Sequence, residues 1–391
     1  MQLTQKIKIN VNKSQKEILN VLSEKCRLIY NFALTERKKE WEENKKSVTY
    51  ITQQNKLPKI KKKYPEYNIV YSKVLQHTLR VLDNNYKSFY SLIKKDKTAR
   101  PPKYLGKKHF TTLTYNQSGF KIVENKISFS HKYNKEKLEF EIPKKFTFQN
   151  VKQISIYKKD KSFWLSITYE EKEPKYVDNK KYQAFDLGII KQTCINSKGK
   201  VKEFINKRPD IYWKSKIESL QSRRDHCKKY SNKYNKLNKN LIKIKRKSAN
   251  QLKDFQHKLS HKIVNNTKSN TIIVGKLSVK KMKHKYSKTL NTSLMNTGYI
   301  ARFVQYLTYK AKRVGKRVIS INESMTSKMC SKCGKKHNMP LDVRIMNCDC
   351  GNNIDRDVNS SINIMKRYLS QNGLCTSYQQ FVDNISSGVS V

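Results

Sequence analysis

Four thiols and four carboxylates stand out by their spacing. Cys330 and Cys333 bracket two residues, Cys348 and Cys350 bracket one, and residues 334–347 separate the pairs. Paired thiolates at such spacing can close a tetrahedron around zinc, and Gly334 and Gly351 let the chain turn back toward the ion. Four sulfurs leave no open position, so that zinc would hold structure rather than react. The second pair is one residue tighter than a usual knuckle, so His337 and Asp349 stand as alternatives to one thiolate. The plainer reading is four ordinary buried cysteines. The other cysteines are scattered, and a chain this long needs no disulfide framework.

The acids are dispersed. Asp186 lies inside an apolar run, Glu323 follows the apolar stretch Arg317–Ile321, and Asp355 and Asp357 flank Arg356 just before a helical pattern. Carboxylates at the strand ends of an α/β sheet can hold two divalent ions about 4 Å apart. Such a pair activates water and stabilises the leaving oxygen when a phosphodiester is cut. Taken singly, each acid is more often a cap or a surface group.

The elements that must position these groups follow from periodicity. Residues 3–11 alternate as a strand, and from Ser14 the positions Ile18, Leu19, Leu22, Cys26, Ile29, Tyr30 and Phe32 fall at helical spacing. Val74, Leu75, Leu79, Leu82, Tyr86 and Phe89 form a second helical stripe. Residues 110–173 read as short strands at 110–115, 126–129, 138–142, 151–157 and 163–169, which suggests a small β-barrel that the first strand joins. Residues 14–95 are then an insertion into it. Beyond a linker at 175–181, strands at 182–190, 192–196 and 201–204 form a meander. A basic helical segment at 210–265, a strand at 271–274, a helix at 299–314 and a strand at 317–321 follow, and a helix at 358–369 comes after the cysteines. Three strands, helix, strand, helix is the layout of an RNase H-like sheet, and it places the acids near one another.

Charge narrows the partners. The 391 residues carry 84 Lys plus Arg against 30 Asp plus Glu, a net +54. A compact body with this excess repels itself unless something anionic covers it. That argues against a small-molecule metabolic enzyme and a free-standing structural protein, and puts nucleic acid ahead of an acidic membrane. AT-rich coding would inflate Lys, Asn, Ile and Tyr, but it does not explain the scarcity of acids. No run approaches the ~18 apolar residues of a membrane span. Met1-Gln-Leu-Thr-Gln-Lys lacks a signal peptide's apolar stretch, so an intracellular protein is expected.

Phe185-Asp186-Leu-Gly, the box Thr326-Ser-Lys-x-Cys330-x-x-Cys333-Gly and Asp355-Arg-Asp357-Val-Asn359-x-x-x-Asn363-Ile together resemble the TnpB (OrfB) family encoded by insertion sequences, which is similar to the type V CRISPR effectors. Cys26-Arg-Leu-Ile-Tyr-Asn-Phe-Ala-Leu resembles that family's N-terminal helical region, and Arg100-Pro-Pro-Lys-Tyr its Pro-Lys/Arg-Phe segment. The resemblance implies a multidomain α/β protein with an RNase H-like (RuvC) nuclease domain interrupted by a zinc ribbon. A small β-barrel (wedge) carrying a helical insertion would precede it. The expected division is 1–13 and 98–174 for the barrel, 14–97 for the recognition insertion, 175–326 and 354–372 for the nuclease domain, 327–353 for the ribbon and 373–391 for a tail.

The implied activity is RNA-guided cleavage of double-stranded DNA that carries a short flanking motif, with guide RNA from the transposon end. Asp186 matches the first catalytic acid and Asp357 the last, with Asp355 in reserve as a helix cap. Many members have Glu-Asp-Leu where this chain has Gly275-Lys-Leu. Others carry a relocated glutamate before the Thr-Ser-Lys box, where Glu323 stands. Magnesium, as two ions, would then lie among Asp186, Glu323 and Asp357, and zinc on Cys330, Cys333, Cys348 and Cys350. Lys and Arg would neutralise phosphates while base pairing reads sequence, and Tyr30, Tyr71, Tyr86 and Tyr104 are candidates to stack on bases. Two other readings are an inactive guide-dependent repressor, favoured by the glycine at 275, and a transposase performing strand transfer itself.

Overall fold

The computed structural model describes residues 1–144, 146, 148–276, 299–340 and 342–374; the side chain of Tyr299 and the expected tail beyond 374 lie outside them. The chain divides into two units, Met1–Lys172 and Glu173–Val391.

In the first unit, strand β1 (Gln2–Ile9) leads into helices α1 (Lys13–Asn44), α2 (Tyr50–Lys63) and α3 (Ser72–Ile93). Strands β2 (Leu113–Asn116), β3 (Phe120–Val123), β4 (Lys126–Phe129), β5 (Leu138–Glu141), β6 (Val151–Lys159) and β7 (Ser162–Glu170) follow. β1 pairs antiparallel with β7, Gln2 opposite Glu170, so the helices are inserted between strands of one sheet. Where a barrel is expected, the unit has two antiparallel sheets, β1-β7-β6-β2 and β3-β4-β5, and no ladder joins them among the described residues. Both face a common core that includes Ile7, Ile156 and Leu165 from one sheet and Ile127, Leu138 and Phe140 from the other.

Asn12 caps α1: its side chain accepts the Gln15 amide while the Gln15 side chain accepts the Asn12 amide, a reciprocal capping box. Ile18, Leu22, Cys26 and Ile29 bury the expected stripe. Phe32 does not belong to it and is half exposed; at about 100° per residue it falls well to the side of Ala33, the next buried position. Arg37, buried, joins the three helices through Gln53 and Asp83.

The second unit is built on a five-stranded sheet in the order β10-β9-β8-β11-β12. Its strands are β8 (Tyr182–Leu187), β9 (Lys191–Asn196), β10 (Val201–Ile205), β11 (Thr271–Gly275) and β12 (Arg317–Ile321). β8, β9 and β10 form the antiparallel meander, whereas β11 runs parallel to both β8 and β12. The basic segment is three helices, α4 (Pro209–Tyr212), α5 (Lys214–Asp225) and α6 (Asn232–Asn266). Helix α7 (Tyr299–Arg313) precedes β12. The hairpin β13 (Ile345–Asn347) and β14 (Asn353–Asp355) precedes helix α8 (Arg356–Gln371).

Strand alternation assigns the two faces of the sheet. Phe185, Leu187, Ile272 and Val274 pack on α6 and α7. Tyr182, Ala184, Ile273 and Ile321 pack on α8. Asp186, two residues after Ala184, therefore belongs to the α8 face.

Candidate metal centres

The three expected carboxylates converge on the α8 face. Asp186 is the penultimate residue of β8, whose register against β11 runs through Phe185 opposite Val274. Gly275 ends β11 opposite Ile321 of β12. Glu323, two residues beyond β12, folds back over Gly275: a Cβ built on that glycine would stand 1.9 Å from Glu323 Oε2. The glutamate thus occupies the space that a side chain at 275 would fill. Its Oε2 is buried and has no hydrogen-bond partner among the described residues.

Asp357 arrives from the start of α8. Asp355 caps this helix, accepting the amides of Asp357 (2.8 Å) and Val358 (3.1 Å), which bears out its expected capping role. A carboxylate in the first turn is favoured there by the helix dipole, and Asp357 occupies that turn.

The electrostatics are those of carboxyls crowded together out of water. Burial, then the charge of Asp357, pushes the Asp186 carboxyl up to about 7, against the lowering effect of a Ser360 hydrogen bond. Burial, then the charge of Asp186, pushes Glu323 up to about 7. Asp355 behaves oppositely: burial would raise it, but the Val358 and Asp357 amides and the Lys191 ammonium outweigh that and hold it low. Like charges crowded out of water stay protonated unless a cation joins them. The donor set, all carboxylate oxygen, is the one magnesium prefers. Among the described residues only the cysteines bring three or more candidate ligand atoms within 4.8 Å of one another, so the carboxylate group is the wider of the two.

Lys191, absent from the sequence expectations, closes one side. Its Nζ lies 2.6 Å from Glu203, 3.3 Å from Asp355 and 3.7 Å from Asp357. The signal available was its place at the start of β9, directly after the turn that follows Asp186.

The second centre is the thiol cluster. Sγ atoms of Cys330 and Cys350 are 3.7 Å apart and those of Cys333 and Cys348 3.5 Å. Gly334 and Gly351 both take φ +78°, and their amides return to the carbonyls of Cys330 and Cys348. These are two knuckle turns that an L side chain would strain. Burial would raise the Cys330 thiol, but the Cys333 amide, the Asn352 side chain and the Lys332 amide together bring it down to about 6, toward the thiolate that binds metal. The two proposed substitute ligands separate here. His337 Nε2 touches Cys348 Sγ at 3.2 Å, whereas Asp349 turns to Lys335. The short C-x-C pair is accommodated because Cys348 and Cys350 face different partners of the first pair. Four thiols within 4.8 Å suit a tetrahedral zinc.

The stacking candidates fare unevenly. Tyr30 and Tyr86 are buried in the first unit's core, Tyr71 stacks on Tyr115, and Tyr104 is half exposed under Lys38. Tyr30 and Tyr86 are therefore packing residues.

Three family descriptions match separate stretches: a helix-turn-helix domain at residues 1–46, a "probable transposase" of the OrfB/IS605 type at 166–285 and a Cas12f1-like TNB domain at 301–364. The first covers β1 and one unbroken helix in this chain. The TnpB-like protein L79 of Acanthamoeba polyphaga mimivirus is 31% identical over 198 residues, 49% of this chain and 34% of that protein. The chain thus spans about a third of the length of the mimivirus relatives it matches. A "putative RNA-guided DNA endonuclease" of Streptomyces pristinaespiralis is 24% identical over 87% of this chain and 82% of its own.

Among solved structures, a Cas12f1–sgRNA–target DNA complex aligns with a TM-score of 0.62 at 16% identity, over 90% of this chain and 83% of that one. CasPhi-2 (Cas12j) bound to crRNA aligns with a TM-score of 0.50 at 11% identity, over 96% and 98%. The sheet, its flanking helices and the thiol cluster thus belong to a mixed α/β protein with the fold of Cas12 effectors. Within that class, the matched models and relatives are of the OrfB/IS605, Cas12f1-like and TnpB-like kind, which is the resemblance the sequence motifs carry. No helix among the described residues is long and apolar enough to cross a membrane.

Proposed function

We propose that this protein is an RNA-guided DNA endonuclease of a transposable element, cutting through a divalent-metal centre held by Asp186, Glu323 and Asp357. The observation that carries the reading is the Glu323 carboxylate lying over Gly275, beside Asp186, with an oxygen that lacks a partner among the described residues. The glycine at 275 was the support for an inactive repressor. With that space filled by an acid from the next strand, this support falls away.

Magnesium, as two ions, would supply a polarised water and neutralise charge at the scissile phosphodiester. Asp186, on a central strand, forms the floor between the other two acids. Glu323 reaches in from β12 and Asp357 from α8. Lys191 holds Asp355 and Asp357 in place by charge and neutralises part of the acid excess at that edge. The four cysteines hold zinc as a structural ion. The sheet order and the helices on its two faces support an RNase H-like (RuvC) assignment for residues 175–326 and 354–372, with the zinc ribbon at 327–353 between them. Residues 1–13 and 98–174 would form the wedge barrel around the recognition helices of 14–97.

The partners follow from the charge of +54 and from the relatives. They are a guide RNA, transcribed from the transposon end, and double-stranded target DNA with a short flanking motif, met inside the cell at the nucleoid. Phosphate contacts supply affinity that falls steeply with salt, and base pairing supplies sequence choice.

The test is a purified complex of the protein with RNA from its own locus, offered a plasmid library with randomised flanking sequence. Cleavage dependent on both guide match and magnesium is expected, and Asp186→Asn should still bind target without cutting it. Guide-dependent binding by the wild type with no cleavage at any magnesium concentration would establish the repressor instead.

A further inference from the structure

The segment from Asn322 to Ser331 carries Glu323 near one end and Cys330 near the other, and helix α8 grips it along its length. Asn359, fully buried, donates from Nδ2 to the carbonyls of Met329 (2.8 Å) and Thr326 (3.4 Å), and accepts the Ser331 amide on Oδ1 (2.8 Å). Asn363, one turn on, donates to the carbonyls of Met329 (2.7 Å) and Thr326 (2.8 Å). Arg367, a turn further, reaches the carbonyls of Asn322 and Ser324, the residues on either side of Glu323. The Ser360 hydroxyl meets that of Thr326 at 3.0 Å, and Thr326 in turn bonds back to the Glu323 carbonyl.

Positions i, i+4 and i+8 lie on one face of a helix. Here that face is polar and satisfies the backbone of an irregular segment that would otherwise leave carbonyls unpaired. Met325 sits at φ +67°, a left-handed conformation costly for a side chain, and the surrounding bonds hold it there. The same helix carries Asp357 in its first turn. One rigid element therefore sets the height of two acids and the position of the first thiol.

We propose that Asn359, Asn363 and Arg367 are positioning residues that couple the thiol cluster to the carboxylate centre, so that an ordered zinc knuckle raises that centre's affinity for divalent cations. The proposal rests on reading Asp186, Glu323 and Asp357 as divalent ligands. Coupling of this kind is reciprocal: what loosens the knuckle loosens Glu323, and the divalent ion steadies the knuckle in return.

The experiment titrates Mn2+ into the full-length, zinc-loaded protein and follows the free ion by electron paramagnetic resonance. Wild type, Asn363→Ala, Glu323→Gln, the double variant and Cys333→Ser are compared, with zinc content measured on each and Arg367→Ala held as a second probe should Asn363→Ala fold poorly. Asn363→Ala should weaken Mn2+ binding about tenfold, the lower end of what an outer-shell partner of a metal ligand contributes, with zinc content unchanged. In the Glu323→Gln background it should add nothing, because the effect acts through that carboxylate. Cys333→Ser should weaken Mn2+ binding in the same sense. If Asn363→Ala lowers only the melting temperature and binds Mn2+ as the wild type does, while Glu323→Gln binds weakly, the coupling is overturned. If Glu323→Gln itself binds as tightly as wild type, the divalent reading falls and the coupling with it.

Discussion

The thiol cluster and the carboxylate centre share one unit and one helix, yet they are assembled in opposite ways. The thiols come from two short knuckles and a hairpin, their sulfur atoms already within 4.8 Å of one another. The acids come from β8, the end of β12 and the start of α8, and stand wider apart. In one centre local turns and glycine geometry bring the ligands together; in the other the tertiary fold holds mutually repelling charges close. A local site costs stability when lost, because its ion is part of the fold. A site imposed on the fold by packing should instead gain stability, or lose little, when a repelling acid is neutralised.

Changes at the two centres sharpen that contrast. The largest effect is expected at Cys330, the most buried thiol of the cluster. Cys330→Ala should abolish zinc binding and lower stability by more than 2 kcal/mol, on the order of 5–10 °C in Tm for a unit of this size, read by calorimetry beside zinc analysis. Retention of zinc with an unchanged Tm would contradict a structural role.

Gly275→Ala comes next. Its Cβ cannot coexist with Glu323 Oε2 at 1.9 Å, so the carboxylate must leave. Guided cleavage should fall about a hundredfold, equivalent to roughly 2.7 kcal/mol of barrier, with little change in Tm. Gly275→Glu combined with Glu323→Ser should recover a large part of the loss, because an acid then rises from β11 into the same space. Full activity in Gly275→Ala would show that cleavage does not need the Glu323 carboxylate over position 275.

A third effect is in pH. Asp186 and Glu323 titrate near 7 when folded and near 4 when unfolded, so between those values the folded protein holds protons that the unfolded chain has released. Their contribution to stability is therefore complete below about 4, declines as pH rises toward 7 and is flat above. Denaturation midpoints in chelator at pH 5 and 8 should show a decline that is smaller in Asp186→Asn than in wild type, and magnesium should offset it at pH 8. An identical decline in the variant would assign the slope to other groups.

Much of this architecture was legible beforehand, and the reasons are local. Strands Lys126–Phe129 and Arg317–Ile321 and the helix at Tyr299–Arg313 coincide with the sequence reading because alternation and the 3.6-residue stripe are short-range signals. The cysteine knuckles and the Asp355 cap were readable for the same reason. Phe120–Val123 gives no strand signal in the sequence, since four residues between turns, two of them exposed, carry too little alternation. Helix Tyr50–Lys63, with Pro58 inside it and few buried positions, likewise carries no clear stripe in the sequence.

The carboxylate centre was legible only as residue types. That Glu323 would lie over Gly275 depends on the register of β11 against β12, which no local pattern encodes. Lys191, and the use of Asn359, Asn363 and Arg367 to grip the 322–331 segment, were invisible because their partners are mostly backbone carbonyls or acids far away in sequence.

The most direct test of the three-acid centre is guided cleavage by Glu323→Gln, an isosteric change that removes one charge and leaves the packing over Gly275 in place. With guide RNA, matched DNA and saturating magnesium, the variant should retain RNA and target binding and lose cleavage by on the order of a hundredfold or more. Cutting at the wild-type rate would contradict the account, leaving Asp186 and Asp357 without their third partner.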